Sequence, residues 1–259
     1  MKSSVRLGPP SKSGVDATAS PALLGFTIGG HTIARATLVL GSLPNLGESV
    51  VHTIEFMPTS VGEARVAWYP GQGKPRAILT VGHGTATGIE APDLQALANT
   101  LPARGIAVAL VEQPYRVVGD PSLSGPTTLD TVWRELWPRF ESARLPVIAG
   151  GRSAGSQVAC RTAWDLKALA VLALSYPLNG PGRAPELLAT GLPTLIVQGG
   201  NDPFGRPAQF PALPSGMELV VIPQADHVFH VPYDRQAALE TLTTAVGDWL
   251  DRRLRQVAA

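Results

Sequence analysis

The sequence predicts an α/β protein in which helices cover both faces of a mostly parallel sheet of about seven or eight strands. Two observations lead to this prediction. Short apolar runs alternate along the chain with segments whose apolar residues recur at helical spacing, and this alternation is typical of parallel strands joined by crossover helices. Most of the runs are apolar at every position, as strands buried on both faces require. We therefore expect a doubly wound sheet with right-handed connections.

Composition narrows the class of protein. The chain has 259 residues, of which 44% are hydrophobic, and this is enough for one large α/β domain. The 21 basic and 20 acidic residues give a net charge of +1, so no overall field favours nucleic acid or an anionic membrane. No apolar run approaches the roughly 20 residues that span a bilayer. We expect neither a nucleic-acid partner nor a membrane span.

The chain has a single cysteine, Cys160. It has no second cysteine for an intramolecular disulfide and no companion for a metal cluster, which is typical of a protein in the reducing cytoplasm. We expect a cytoplasmic location and a buried, structural role for Cys160.

The first part of the chain has no sustained pattern. Residues 1–49 show neither strand nor helix periodicity, and 8–14 has the composition of a linker. A secretory signal is an alternative, because basic residues precede the apolar stretch 22–40, but glycines interrupt that stretch. We predict an irregular or disordered extension at 1–49 and a single domain at 50–259.

The remainder of the chain divides into strands and helices. Eight segments have strand patterns: 50–56, 64–69, 77–81, 106–111, 145–150, 168–174, 193–198 and 217–222. Segment 64–69 alternates in the manner of a half-exposed strand near a sheet edge, whereas 77–81 is apolar throughout. Four segments have apolar residues at helical spacing. They begin near Pro92, extend from Leu129 to Phe140, follow the turn after 145–150, and cover about 234–254.

One of these strands ends in a sharp turn that carries a serine. The run Leu145–Gly150 leads into Gly151-Arg152-Ser153-Ala154-Gly155 and then into a helix-compatible segment. This is the G-x-S-x-G pattern of a nucleophile elbow, in which a strained turn raises the serine oxygen above the carboxyl edge of a parallel sheet. Small residues flank the serine because larger side chains would collide with the neighbouring strand or helix. The pattern predicts Ser153 as a nucleophile.

A serine hydroxyl needs a base, and the base needs an acid that holds its tautomer. Asp202 follows the predicted strand 193–198, and His227 follows 217–222. Both residues are therefore expected at the sheet edge that carries the elbow. The order Ser, Asp, His along the chain is that of α/β-hydrolases and differs from the order in chymotrypsin and subtilisin folds.

Other interpretations of these residues remain open. Asp226 is a rival acid, although it would have to fold back on its own neighbour, and His230 is a rival base further along the loop. Taken singly, Asp202 is also explained as a turn cap, His227 as a surface loop residue and Ser153 as a turn serine. Their joint occurrence after successive strands favours a catalytic triad.

The loop after strand 77–81 is expected to supply an amide donor. It contains Gly82-His83-Gly84-Thr85, whose small residues allow the backbone to approach a substrate oxygen. We predict an oxyanion hole formed by the N–H of Ala154, at the start of the elbow helix, and the N–H of Gly84 or Thr85.

The same loop also fits a weaker interpretation. Gly82-x-Gly84-x-x-x-Gly88 between a strand and a helix resembles a dinucleotide-binding loop, but no Tyr-x-x-x-Lys pair or ribose-binding acid accompanies it. His83 is expected to shape the loop rather than to titrate during catalysis.

Four stretches together carry a family resemblance: Gly150–Ser156, Leu174–Leu178 (L-S-Y-P-L), Gln198-Gly199-x-x-Asp202, and Asp226-His227. They resemble a subfamily of the α/β-hydrolase superfamily, in its dienelactone-hydrolase-like branch, that includes a vertebrate testis-expressed protein and a subunit of the NSL histone-acetyltransferase complex. The likeness covers about 64–254. Some members of the subfamily look like scaffolds, so the resemblance also allows a non-catalytic role.

The pattern as a whole predicts a serine hydrolase, of carboxylesterase or dienelactone-hydrolase type, that acts on an ester, thioester or related acyl bond of a small molecule. Ser153 is the nucleophile, His227 the base and then the acid, and Asp202 orients His227. Neither a metal nor an organic cofactor is expected, and no large lid domain, because only 175–193 separates two of the predicted strands. The alternatives are an interaction module on a hydrolase scaffold and a nicotinamide-dependent oxidoreductase. No feature of the sequence indicates an oligomeric state.

Overall fold

The computed structural model describes residues 27–28, 31–32, 36–42, 49–232 and 234–258. The strands are, in chain order, β1 (Thr27–Ile28), β2 (His31–Thr32), β3 (Ala36–Ser42), β4 (Ser49–Thr59), β5 (Gly62–Tyr69), β6 (Ala77–Gly82), β7 (Ile106–Glu112), β8 (Val147–Arg152), β9 (Ala170–Leu174), β10 (Thr194–Gly199) and β11 (Met217–Ile222). The α-helices are α1 (Pro92–Thr100), α2 (Pro114–Val118), α3 (Pro126–Glu141), α4 (Ala154–Thr162), α5 (Arg183–Leu188) and α6 (Arg235–Ala258).

Within the described residues, nine strands form one sheet in the order β11-β10-β9-β8-β6-β7-β5-β4-β3, and β1 pairs with β2 separately. The strands from β6 to β11 are mutually parallel. β5, β4 and β3 continue the sheet in antiparallel pairing at one edge. The predicted fold class, a mostly parallel sheet with helices on its faces, is confirmed.

Strand β3 lies within the stretch that the sequence predicts to be irregular. It pairs with β4 from Ala36 opposite Glu55 to Ser42 opposite Ser49, and it adds an edge strand to the eight strands from β4 to β11. The division of the chain into 1–49 and 50–259 remains a prediction.

The sequence predicts a half-exposed strand near a sheet edge at 64–69; β5 does lie near one edge of the described sheet, third from its end, but the prediction of half-exposure is wrong. β5 has β7 on one side and β4 on the other, and Val66, Ala67, Trp68 and Tyr69 are all buried. The alternation in the sequence is real, because Arg65 is half-buried and pairs with Glu112 at 2.6 Å. β4 immediately precedes β5 in the chain and pairs with it in antiparallel register, so it separates β5 from the edge of the sheet formed by the described residues.

Helices bury their predicted apolar stripes on both faces of the sheet. α1 and α6 pack on one face through residues that include Leu94, Leu97, Leu242 and Trp249. α3 and α4 pack on the other face, with the aromatic side chains of α3 in the core. Because β6 to β11 are parallel, the loops that follow these strands come together at the carboxyl edge of the sheet.

Candidate active site

The turn between β8 and α4 has the geometry of a nucleophile elbow. Ser153 has φ 54° and ψ −117°, a left-handed conformation that costs free energy in a non-glycine residue. Its N–H donates to the carbonyl oxygen of Leu174 at 2.9 Å. A Cβ on Gly151 would collide with the backbone of Gly155, and a Cβ on Gly155 would collide with the carbonyl oxygen of Gly82. The two glycines are therefore required by the packing of helix against strand.

Three predicted site residues form a hydrogen-bonded row at this edge. His227 Nε2 lies 2.9 Å from Ser153 Oγ, and His227 Nδ1 lies 2.8 Å from Asp202 Oδ2. Asp202 is fully buried, whereas the side chain of His227 is 16% exposed and Ser153 is half-buried. The buried carboxylate orients the imidazole, and the imidazole is partly exposed on its other side. Such a base can accept a proton from the serine while a substrate approaches.

The carboxylate of Asp202 is surrounded by donors. Oδ1 accepts the N–H of Phe204 at 2.8 Å, and Oδ2 accepts Gln198 Nε2 at 2.8 Å in addition to His227. The same Gln198 nitrogen donates to the carbonyl oxygen of Gly205 at 2.8 Å. This network fixes the orientation of the carboxyl group and directs one oxygen at the imidazole, which fixes Nδ1 as the protonated nitrogen.

The rival acid and base have other roles in the loop. Asp226 Oδ1 accepts the N–H groups of Val228 and His230, each at 2.9 Å, so this carboxylate shapes the turn that presents His227. His230 is exposed on the surface. Neither residue takes part in the row that contains Ser153.

The loop after β6 lies against the elbow. A Cβ on Gly84 would lie 3.2 Å from the Cβ of Ser153. The carbonyl oxygen of Gly84 accepts His83 Nδ1 at 2.7 Å and the hydroxyl of Tyr115 at 3.3 Å. Because C=O and N–H point in opposite directions across a trans peptide, these contacts aim the N–H of Thr85 away from His83.

His83 is a neutral structural residue of this loop. It is almost fully buried, and burial lowers its pKa below the ordinary value while the hydrogen bond to Gly84 partly opposes that shift. Its Nε2 accepts the N–H of Gln113 at 3.1 Å, which leaves Nδ1 as the donor. Both ring nitrogens are therefore engaged by the backbone of two loops.

Three further residues of the site have no role in the prediction from the sequence, although Arg152 and Gln198 lie in the stretches that carry the family resemblance. Arg152 and Gln198 each end or nearly end an otherwise apolar strand, and a polar side chain at that position is the signal that would have found them. The ring of Phe204 lies 4.5 Å from that of His227, between centroids, and is 43% exposed. Only its closeness to Asp202 along the chain pointed to it.

The surroundings of the loop Gly82–Gly88 do not favour its interpretation as a dinucleotide-binding loop. A Cβ on Gly84 would lie 2.7 Å from Arg152 Nη1, so the elbow requires that glycine. A Cβ on Gly88 would meet the carboxylates of Glu90 and Glu112, which pair with Arg116 and Arg65, so close packing of side chains explains this glycine without a bound pyrophosphate.

Within the part of the chain that the structure describes, no three His, Cys, Asp or Glu side chains are grouped to hold a metal ion. The same part contains no helix with the length and apolar character needed to cross a membrane.

The sequence was compared with protein families and with curated proteins. The model of the family described as alpha/beta hydrolase domain matches residues 75–251. No curated protein matches the chain.

Solved structures share the fold at low sequence identity. A lidless α/β serine hydrolase from Xanthomonas campestris has a TM-score of 0.66 at 17% identity, over 81% of this chain and 97% of the other. An α/β serine hydrolase homologue from Coxiella burnetii has a TM-score of 0.61 at 21% identity, over 79% and 99%. A dienelactone hydrolase from Anabaena variabilis has a TM-score of 0.60 at 20% identity, over 78% and 98%.

Proposed function

The chain belongs to the alpha/beta hydrolase domain family, and we propose that it is a serine hydrolase that cleaves an ester, thioester or related acyl bond through an acyl-enzyme intermediate. The observation that carries this proposal is the row of Ser153, His227 and Asp202, with contacts of 2.9 and 2.8 Å. A surface serine has no reason to occupy a strained backbone conformation beside a histidine that a buried carboxylate orients.

The chemistry follows from this geometry. His227 Nε2 takes the proton of Ser153 as Oγ attacks the acyl carbon, and Asp202 stabilises the imidazolium. When the tetrahedral intermediate collapses, the bond to the leaving group breaks and His227 returns the proton to that group. A water molecule, deprotonated by His227, then attacks the acyl-enzyme, and the proton returns to Ser153 as the acid product leaves.

The oxyanion of each tetrahedral intermediate is held by two amides. Ala154 is the first residue of α4, where the N–H groups have no partner within the helix, and the helix dipole favours negative charge. Between the two predicted donors of the other loop we favour Thr85 over Gly84, because the carbonyl of Gly84 is anchored to His83 and Tyr115. Thr85 is exposed, so its N–H can meet a substrate.

The finer assignments remain predictions. The family comparison covers the superfamily domain and not the testis-expressed and NSL-complex subfamily, which is inferred only from the motifs of the sequence. The cytoplasmic location rests on the single cysteine. The choice between carboxylesterase and dienelactone-hydrolase chemistry is open to assay.

A fluorophosphonate probe tests the proposed function. We expect one equivalent of probe to add to wild-type protein, with the modified peptide containing Ser153, because the probe reports a nucleophile activated by its neighbours. The Ser153→Ala variant, checked for wild-type thermal unfolding, should take up no probe. A folded wild type that stays unlabelled at millimolar probe, and hydrolyses activated esters no faster than Ser153→Ala, would favour the interaction module instead.

The substrate range follows from the small amount of chain above the site. Between β9 and β10 the only α-helix is α5, and it is held to the body of the protein by Leu187, which is fully buried, and by Glu186, which accepts the hydroxyl of Tyr176 at 2.8 Å. We expect p-nitrophenyl acetate and butyrate to be hydrolysed with a kcat/KM at least about tenfold higher than the palmitate ester, because the described residues between β9 and β10 offer little surface to bury a long chain. Rates measured across a series of acyl lengths, below and above the micellar limit, test this; a preference for long chains with activation by micelles would contradict it.

A further inference from the structure

The residue before the nucleophile is a buried arginine that the reaction described above does not use. Arg152 is the last residue of β8 and is only 2% exposed. A guanidinium keeps its positive charge at all ordinary pH values, and burying that charge is costly unless partners compensate it. Its contacts therefore indicate why the chain places it there.

The guanidinium of Arg152 contacts two loops of the site. Its Nη1 donates to Thr87 Oγ1 at 2.9 Å, on the loop that carries Thr85. Its Nη2 donates to the backbone carbonyl of His227 at 3.2 Å. Arg152 also precedes Ser153 directly in the chain. This one residue therefore connects the nucleophile, the loop that carries Thr85 and the loop that carries His227.

The charge partner of Arg152 is Asp93, in the first turn of α1. Arg152 Nε lies 3.8 Å from Asp93 Oδ2, which is too far for a hydrogen bond, and among the described residues neither carboxylate oxygen has a hydrogen-bond partner. Arg161, in contrast, binds Asp130 through two donors at 2.8 and 2.7 Å. An arginine needed only for an ion pair favours that two-donor geometry, whereas Arg152 directs its terminal nitrogens to the loops.

We propose that Arg152 is a positioning residue that ties the loop of Thr85 and the loop of His227 to the elbow, while Asp93 supplies the charge that allows the guanidinium to be buried. This inference rests on the proposed function. Both loops carry groups that act on the transition state, so the effect of Arg152 belongs in kcat rather than in KM.

The burial of Asp93 fits its role as the partner of this guanidinium. Burial raises the pKa of Asp93, and the charge of Arg152 opposes that rise, so the guanidinium favours the charged form of the carboxylate.

The experiment compares five variants of the full chain on p-nitrophenyl acetate, with rates normalised to fluorophosphonate-titrated sites: two at Arg152, Thr87→Val, Asp93→Asn and a control. We expect Arg152→Met to lower kcat about 100-fold with KM within threefold, because loose loops misplace the reacting groups. Arg152→Lys should lose at least about tenfold in kcat, again with KM within threefold, since one ammonium cannot replace a fork of donors. Thr87→Val, which deletes a single contact, should lose about fivefold.

Arg139→Met is the matched control. Arg139 is a largely buried arginine of α3, its side chain 14% exposed, that binds Glu55 through Nε at 3.0 and 3.2 Å. Its replacement should lower the melting temperature but leave kcat per titrated site within twofold of wild type.

Several results would overturn the inference. If Arg152→Met and Arg152→Lys fold and hydrolyse within threefold of wild type, or behave as Arg139→Met does, Arg152 is structural. If neither Arg152 variant folds, Thr87→Val and Asp93→Asn provide the test. A wild-type kcat in both of them would refute the positioning role of Arg152. A wild type that takes up no probe would instead refute the proposed function, so the two failures are distinguishable.

Discussion

Replacing His227 with alanine is expected to lower kcat on p-nitrophenyl acetate by about 10³-fold or more, because Ser153 then has no group to take its proton. His227 Nε2 is the atom within hydrogen-bond distance of Ser153 Oγ, at 2.9 Å. The side chain is partly exposed, so its removal leaves little cavity, and the free energy of unfolding should change by about 1 kcal/mol or less. Steady-state kinetics and thermal unfolding on the same preparation test both parts.

His230→Ala is the matched control for that loss. His230 lies three positions further along the same loop, and its N–H donates to Asp226 Oδ1 at 2.9 Å, a backbone contact that alanine retains. The exposed imidazole should be dispensable, with kcat within about threefold of wild type. A larger loss in His230→Ala than in His227→Ala would require the base to be reassigned.

Replacing Asp202 with asparagine is expected to lower kcat by about 10³- to 10⁴-fold while preserving the fold. Both carboxylate oxygens accept from donors: Oδ1 from the N–H of Phe204, and Oδ2 from Gln198 and His227. An amide has a single acceptor oxygen, so in either orientation its NH₂ group faces another donor. The imidazole then turns or takes the wrong tautomer, and Nε2 no longer accepts the proton of Ser153.

Asp226→Asn is the control for this variant. Asp226 accepts the N–H groups of Val228 and His230 through Oδ1 alone, and an asparagine oxygen can make the same two contacts. We expect the kcat of Asp226→Asn to stay within about threefold of wild type. The free energy of unfolding of Asp202→Asn, in contrast, should fall by about 1–3 kcal/mol, since one buried donor is left unpaired. Near-wild-type activity in Asp202→Asn together with inactivity in Asp226→Asn would reverse the assignment of the acid.

Much of the fold was predictable because its strands and helices are specified by local patterns. The continuous apolar run 77–81 lies within β6, and the helix expected near Pro92 begins at that residue. The elbow was predictable for the same reason: close packing of strand against helix requires glycine at two positions, Gly151 and Gly155, around the serine. A packing requirement of this kind appears in the sequence as a short local motif.

The edge of the sheet was not predictable in this way. β5 has an alternating sequence but is buried, because β4 and then β3 pair beyond it. Strand order depends on which backbone edges pair in the folded chain. The sequence of a single strand does not specify which other strand will pair with its edge.

The sequence by itself determined the α/β class, the chain order of Ser153, Asp202 and His227, and the strand ends at which they lie, because each depends on short-range periodicity and turn chemistry. The sequence favoured Asp202 over Asp226 as the partner of His227, and the structure shows that contact; the tertiary structure alone decided that Arg152 reaches Thr87 and the carbonyl of His227. These contacts join residues 25 to 75 positions apart. Their partners are selected by burial and by the directions of hydrogen-bond donors in the folded protein, and those are properties of the assembled sheet edge rather than of any one stretch of the chain.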